Sequence, residues 1–204
     1  MKSKIVSIKN IGTGYAIALI FFIIQGCKKN SDNDGSNNNN NSSSYYMTAN
    51  VDGKSWEANV NMGLDNSMVL GVKSSFNGVN AFVLLGIKAA NKDSSGVVLI
   101  FPQNINLNKA TTFNALQYSE GGYISESSPG SATYNQYNTT PATGGSGTFT
   151  VTAFDQTAMI IEGSFNGVFG SLNGKPEVKI NNGKFRCLYT TNVNQLPHSG
   201  GFKF

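Results

Sequence analysis

The chain predicts an all-β fold, a single antiparallel β-sandwich of about nine or ten strands, and three observations carry that expectation. Apolar and polar residues alternate with period two through most of the chain after Tyr45. Two-residue turn pairs, Asp52-Gly53, Asn77-Gly78, Asn173-Gly174 and Asn182-Gly183, punctuate the alternation. No segment longer than about two turns keeps helical spacing. Composition agrees: charged residues are 13% of the chain, against the usual value of about 25%, and Gly, Ser, Thr and Asn take their place.

Each strand has its own warrant. "MTANVDGKSWEANV" predicts a hairpin over 46–60, because Asp52 and Gly53 both tolerate the positive φ that a type I′ turn demands. Asn77-Gly78 joins "SMVLGVKS" to "VNAFVLLGIKAA", in which Val79, Ala81, Val83, Leu85 and Ile87 share one face. "GVVLIF", Gly96 to Phe101, is apolar at five consecutive positions and reads as a strand buried on both faces. In "GTFTVTAF", Phe149, Val151 and Ala153 alternate with Thr148, Thr150 and Thr152, which is a sheet with one wet face. Near the end, Asn173-Gly174 and Asn182-Gly183 are expected to join "AMIIEGSFNGVFGSL", "KPEVKI" and "GKFRCLY" into a meander. A closed barrel is the alternative to the sandwich; Gly- and Ser-rich interruptions around 119–132 would break continuous closure and favour the sandwich.

The segment before Tyr45 is organised differently. Lys2, Lys4 and Lys9 precede an apolar run from Ile11 to Ile24, and a run of about fourteen residues is short of the about 20 that span a bilayer but suits the apolar region of a signal peptide. The run ends in "IQGC", Ile24 to Cys27. This resembles the lipobox of bacterial lipoproteins, in which the cysteine is acylated and becomes the first residue of the mature chain. Gly26 and Cys27 match it, Ile24 stands where leucine is commoner, and Gln25 departs from the usual small or β-branched residue. A signal anchor and an adventitious cysteine are the alternatives. The layout expected is therefore a signal peptide over 1–26, a lipidated Cys27 with a tether over 27–44, and the sandwich domain over 45–204. Each buried methylene contributes about 0.8 kcal/mol, so two or three acyl chains anchor a protein stably without help from its folded domain. "KKNSDNDGSNNNNNSSS", Lys28 to Ser44, has no apolar residue and reads as a flexible tether. Its "DNDG" misses the spacing of a calcium loop.

Charge excludes one class of partner. The formal +4 rests on five basic residues ahead of the domain. From Tyr45 onward ten basic residues face nine acidic ones with no Lys/Arg-rich run, so nucleic acid is not an expected partner. Taken together, the lipobox, the tether, "VDGKSWEA", "GTFTVTAFD", "IIEGSFNGVFG" and "VKINNGKFRC" resemble the small single-domain lipoproteins of Bacteroidota with an uncharacterised β-sandwich domain. The resemblance implies an outer-membrane lipid anchor, on the periplasmic face or the cell surface, and brings no catalytic residue. Lys28 and Lys29 stand before Asp32 and Asp34, where this phylum's export signal is acidic.

Catalytic chemistry finds few residues. The one histidine, His198, lies near the end of the chain, and no G-x-S-x-G presents a serine nucleophile. One histidine and one domain thiol do not make a zinc site, and neither a metal nor another cofactor is expected. Of the nine carboxylates from Tyr45 onward, Asp52, Asp93 and Asp155 sit in apparent turns, and Glu120 with Glu126, flanking a Gly/Tyr loop, is the one pair to weigh for glycosidase chemistry. Cys187 alternates with Phe185 and Tyr189, which reads as a packing thiol. Trp56 reads as a core anchor for the first hairpin, with a sugar-stacking platform as its alternative. "QYSEGGYISESSPGSATYNQYNTT" mixes tyrosine with Ser, Gly and amides as recognition loops do. Tyr118, Tyr123, Tyr134, Asn135 and Tyr137 are its candidate ligand contacts, for a glycan, a peptide or an envelope protein; an edge strand with outward tyrosines is the plainer reading. The expected function is a non-catalytic, membrane-anchored binding or accessory module, with a structural or assembly subunit as the alternative and a glycosidase a distant third. Pilins of this phylum are processed after an arginine near the N-terminus, whereas the one arginine here is Arg186.

Overall fold

The structure, a computed structural model, describes residues 45–59, 67–76, 78–88, 94–114, 119–126, 134–171 and 173–191. All of them lie in one compact unit, Asn38–Phe204. They form β1 (Tyr46–Val51), β2 (Lys54–Asn59), β3 (Ser67–Phe76), β4 (Val79–Lys88), β5 (Ser95–Pro102), β6 (Thr111–Thr112), β7 (Glu120–Glu126), β8 (Tyr134–Asn138), β9 (Ser146–Asp155), β10 (Ile160–Ser171) and β11 (Val178–Thr190). Among the described residues the one helical element is a 3-10 turn, Pro141–Thr143. The all-β class holds, with eleven strands rather than nine or ten.

Hydrogen bonding joins these strands into one sheet, in the order β2-β1-β11-β3-β4-β5-β7-β8-β10-β9-β6. A further pairing of β10 with β11 closes the circuit β11-β3-β4-β5-β7-β8-β10 on itself. The circuit runs through the Gly-rich stretch that was expected to interrupt it. Gly121 and Gly122 are strand residues there: a Cβ on Gly122 would stand 2.6 Å from Val98 Cγ1, and one on Gly121 3.0 Å from the Phe169 ring. Glycine inside a strand can mark such a close approach rather than a break. The antiparallel expectation also has one exception, since β11 meets β3 in parallel at Tyr189 opposite Gly71 and Thr190 opposite Val72.

The turn chemistry divides in two. Asp52 and Gly53 take φ of 48° and 79°, and β1 and β2 pair directly from Val51 opposite Lys54, so the first hairpin is as the dipeptide requires. Asn182-Gly183 makes no turn. Asn182 takes φ of 53° inside the continuous strand β11, where the register shifts against both β1 and β10. The left-handed residue is absorbed as a bulge because β11 has partners on both sides across it, and the side-chain carbonyl of Asn166 accepts the Asn182 N–H at 3.0 Å. A second bulge, where β9 slips between Glu162 and Gly163, reverses the alternation after Val151. Phe149 and Val151 point inward as expected; Ala153 is exposed, and Phe154 packs on the core in its place.

Aromatic rings fill the interior. Phe101 of β5 stacks on Phe149 of β9 with centroids 4.8 Å apart, and Phe82 of β4 meets the edges of Phe154 and Tyr189 at 5.3 and 5.1 Å. Strands far apart in the sheet order thus face each other across one core. Trp56 is buried, and its indole N–H donates to Ser95 Oγ at 2.9 Å, fastening the first hairpin to β5. Ring atoms of Trp56 and the Met47 sulfur close over Gly86, which has no room for a Cβ. β5 is buried on both faces along its length except at Pro102. Val97, Leu99 and Phe101 belong to the central core, while Val98 and Ile100, buried on the opposite face, do not.

Candidate functional site

The Tyr-rich segment folds as β7 and β8, and its register decides which tyrosines are available. Tyr123 lies opposite Tyr137, Ser125 opposite Asn135 and Glu126 opposite Tyr134. Side chains three positions apart on a strand point to opposite faces, so Tyr134 and Tyr137 separate. Tyr123 and Tyr137 turn inward at 8% and 7% exposure, their rings 6.0 Å apart within the core. Burial, with the charge of Asp52 second, raises the Tyr137 hydroxyl above the ordinary tyrosine range. Two of the five candidate contacts are therefore packing residues. Tyr134 and Asn135 are half-buried at the start of β8, next to the half-buried Gln136. Tyr118 lies outside the described residues, as does His198.

Beyond Tyr137 the chain makes a compact polar cap. Asn138 Oδ1 accepts from the Thr140 N–H at 3.1 Å, from Thr140 Oγ1 at 2.7 Å and from Thr143 Oγ1 at 2.6 Å. Thr139 Oγ1 accepts the Gly121 N–H at 2.9 Å, and the Gly121 carbonyl accepts the Thr139 N–H at 2.9 Å. Pro141 at the first position of the 3-10 turn and Gly144 in the left-handed region just past it explain why "NTTPATG" turns here. Sequence reasoning passed over this cap, although its run of Asn and Thr around a proline is the signal for side chains that bond their own backbone.

Beside the cap, Ser119 leads into β7 and Glu120 opens it. Both are buried, and among the described residues neither Ser119 Oγ nor Glu120 Oε1 has a hydrogen-bond partner. Burial alone raises the Glu120 carboxyl to about 7. Its glycosidase partner does not face it: Glu126 is on the same strand, six residues on, hence roughly 20 Å away. Separations of about 5–10 Å serve that chemistry.

The remaining reactive groups are in structural settings. Cys187 is fully buried between Phe185 and Tyr189, and burial pushes its thiol well above the ordinary range. Asp52 Oδ1 accepts the Lys179 N–H at 2.8 Å, and Asp155 Oδ1 accepts from Thr157 and Ala158 N–H, both at 2.8 Å. Asp155 thus closes its own turn, while Asp52 ties the turn of the first hairpin to β11. Among the described residues no three of His, Cys, Asp and Glu come together as metal ligands.

One surface was not singled out from the sequence. The outward residues of β2, β1, β11, β10 and β9 line up across the register as Glu57, Thr48, Lys184, Ser164 and Thr150. In the adjacent row Arg186, next to Tyr46, pairs with Glu162. Small hydroxyls, the charges of Glu57 and Lys184, and the Arg186–Glu162 pair thus pave a face of five strands. The chain was compared with family models, with curated proteins and with solved structures, and none of them matches.

Proposed function

We propose that this chain is a lipid-anchored protein of the cell envelope, held by Cys27 on a polar tether, whose β domain serves as a non-catalytic binding or accessory module. The observation that carries the reading is the order of parts: an apolar run closed by "IQGC", seventeen residues without an apolar side chain, and a β-strand beginning at Tyr46. In this reading the protein is one of the small Bacteroidota lipoproteins that its motifs resemble, and it sits at the outer membrane with no nucleic-acid partner. The curled sheet is read as a sandwich whose two edges are closed by β10 and β11. Tyr134, Asn135 and Gln136 are its contact residues for a glycan, a peptide or an envelope protein, because they are a run of half-buried tyrosine and amide residues in the recognition-like segment. Residues buried in the core, Tyr123 and Tyr137, do not take that role.

Acyl labelling tests the anchor. In the native host, the wild-type chain is expected to incorporate an alkyne fatty acid and the Cys27→Ala chain to incorporate none; undiminished labelling of the variant removes the lipoprotein reading. Protease treatment of intact and opened cells then assigns the domain to the surface or to the periplasm.

A further inference from the structure

Among the described residues, five of the six buried polar ones, Ser119, Glu120, Asn138, Thr139 and Thr140, gather where β7 begins and β8 ends. Asn138 Oδ1 and the hydroxyls of Thr139 and Thr140 are hydrogen-bonded, whereas Ser119 Oγ and Glu120 Oε1 have no partner among the described residues. A buried orphan carboxylate oxygen is costly when charged and much less so when the group is protonated. We propose that this corner is a proton-linked element of the fold: packing Glu120 into place takes up a proton, so the β7–β8 end is held firmly in acid and loosened as the pH rises.

The surroundings of Glu120 favour the neutral acid. Opposite it on β5 stands Ile100. From β8 and the cap come Asn138, whose Oδ1 already accepts three hydrogen bonds, and Thr139 and Thr140, whose hydroxyls are engaged. β10 places the Phe169 ring against the adjoining Gly121. On the N-terminal side Ser119 is tied through its N–H to the Asn114 carbonyl at 3.1 Å. None of these groups carries a charge, so among the described residues no cation offsets the desolvation of an ionised Glu120. Its folded value of about 7 lies above its ordinary 4.5, and burial is the sole cause. A group raised on folding contributes its full share below the unfolded value and loses it as pH climbs through the folded one. The window is therefore between about pH 4.5 and about pH 7.

Thermal unfolding of the full chain, with and without Glu120→Gln, tests this. From about pH 5.5 to about pH 8.5 the wild-type Tm is expected to fall by roughly 4–8 °C more than that of the variant, which carries a permanently neutral amide. Parallel profiles overturn the proposal. A wild-type Tm restored at the higher pH by millimolar calcium, but not by added sodium chloride of equal ionic strength, overturns it too, since the orphan oxygens would then belong to a cation. Should the variant fail to fold, infrared titration of the wild-type chain decides: a protonated carboxyl band lost with a midpoint near pH 7 supports the proposal, and one absent above pH 5.5 sinks it.

Discussion

Tyr134 and Tyr137 have the same chemistry, nearly the same neighbours in sequence and opposite fates. Tyr137 is buried against Tyr123 on the inner face, and removing such a ring leaves a void that the surroundings only partly fill. Tyr137→Ala is expected to cost about 3–5 kcal/mol in a denaturant titration, and Tyr134→Ala, at a half-exposed position, about 1 kcal/mol or less. Equal losses would mean that the register of β8 is wrong. The contrast also shows what can be read from residues alone. Phe185, Cys187 and Tyr189 were legible as one buried row because strict alternation runs through them, and Trp56 because a lone large aromatic in a hairpin needs a floor. Tyr137 was not legible, because polar neighbours on both sides make an inward tyrosine and an outward one look alike until the partner strand is known. Ser119 and Glu120 were hidden for the same reason: nothing local says that a polar pair will be enclosed.

At the level of elements, the same local signal had two outcomes. Asp52-Gly53 and Asn182-Gly183 are both pairs that hairpin turns favour, yet the first reverses the chain and the second bends one strand. Only Asn182 of the second pair takes positive φ. Its N–H is held by Asn166, and β1 and β10 pair on both sides of it, so a reversal there would strip two ladders at once. Asn182→Gly is expected to be nearly neutral, while Asn182→Ala, which must carry a Cβ through the left-handed region, costs about 1 kcal/mol; both are readable from the urea midpoint. A large loss for glycine would mean that the asparagine side chain, rather than the backbone conformation, holds the bulge. Glycine misled in the other direction as well. Gly121 and Gly122 look like a break in composition but are places where Phe169 and Val98 press against bare backbone.

For the whole molecule, β11 is the centre of the pairing. It meets β10 along nearly its full length, β1 over its middle and β3 at its end. Contacts between the first strand and the last make long-range pairing dominant, which places folding in the range of milliseconds to seconds. The all-β class could be read from alternation, but closure could not, because it depends on two residues of β10 reaching β8 and two of β11 reaching β3. A chain stopped after Glu177 is expected to lose the cooperative thermal transition and to bind a hydrophobic dye, whereas survival of a sharp transition would show that the other strands close without their hub. The position of that hub along the polypeptide sets the timing of biogenesis. A chain made or exported from its N-terminus exposes ten strands before the one that unites them arrives. A stop anywhere before Val178 therefore removes the strand on which the pairing centres while leaving the ten before it.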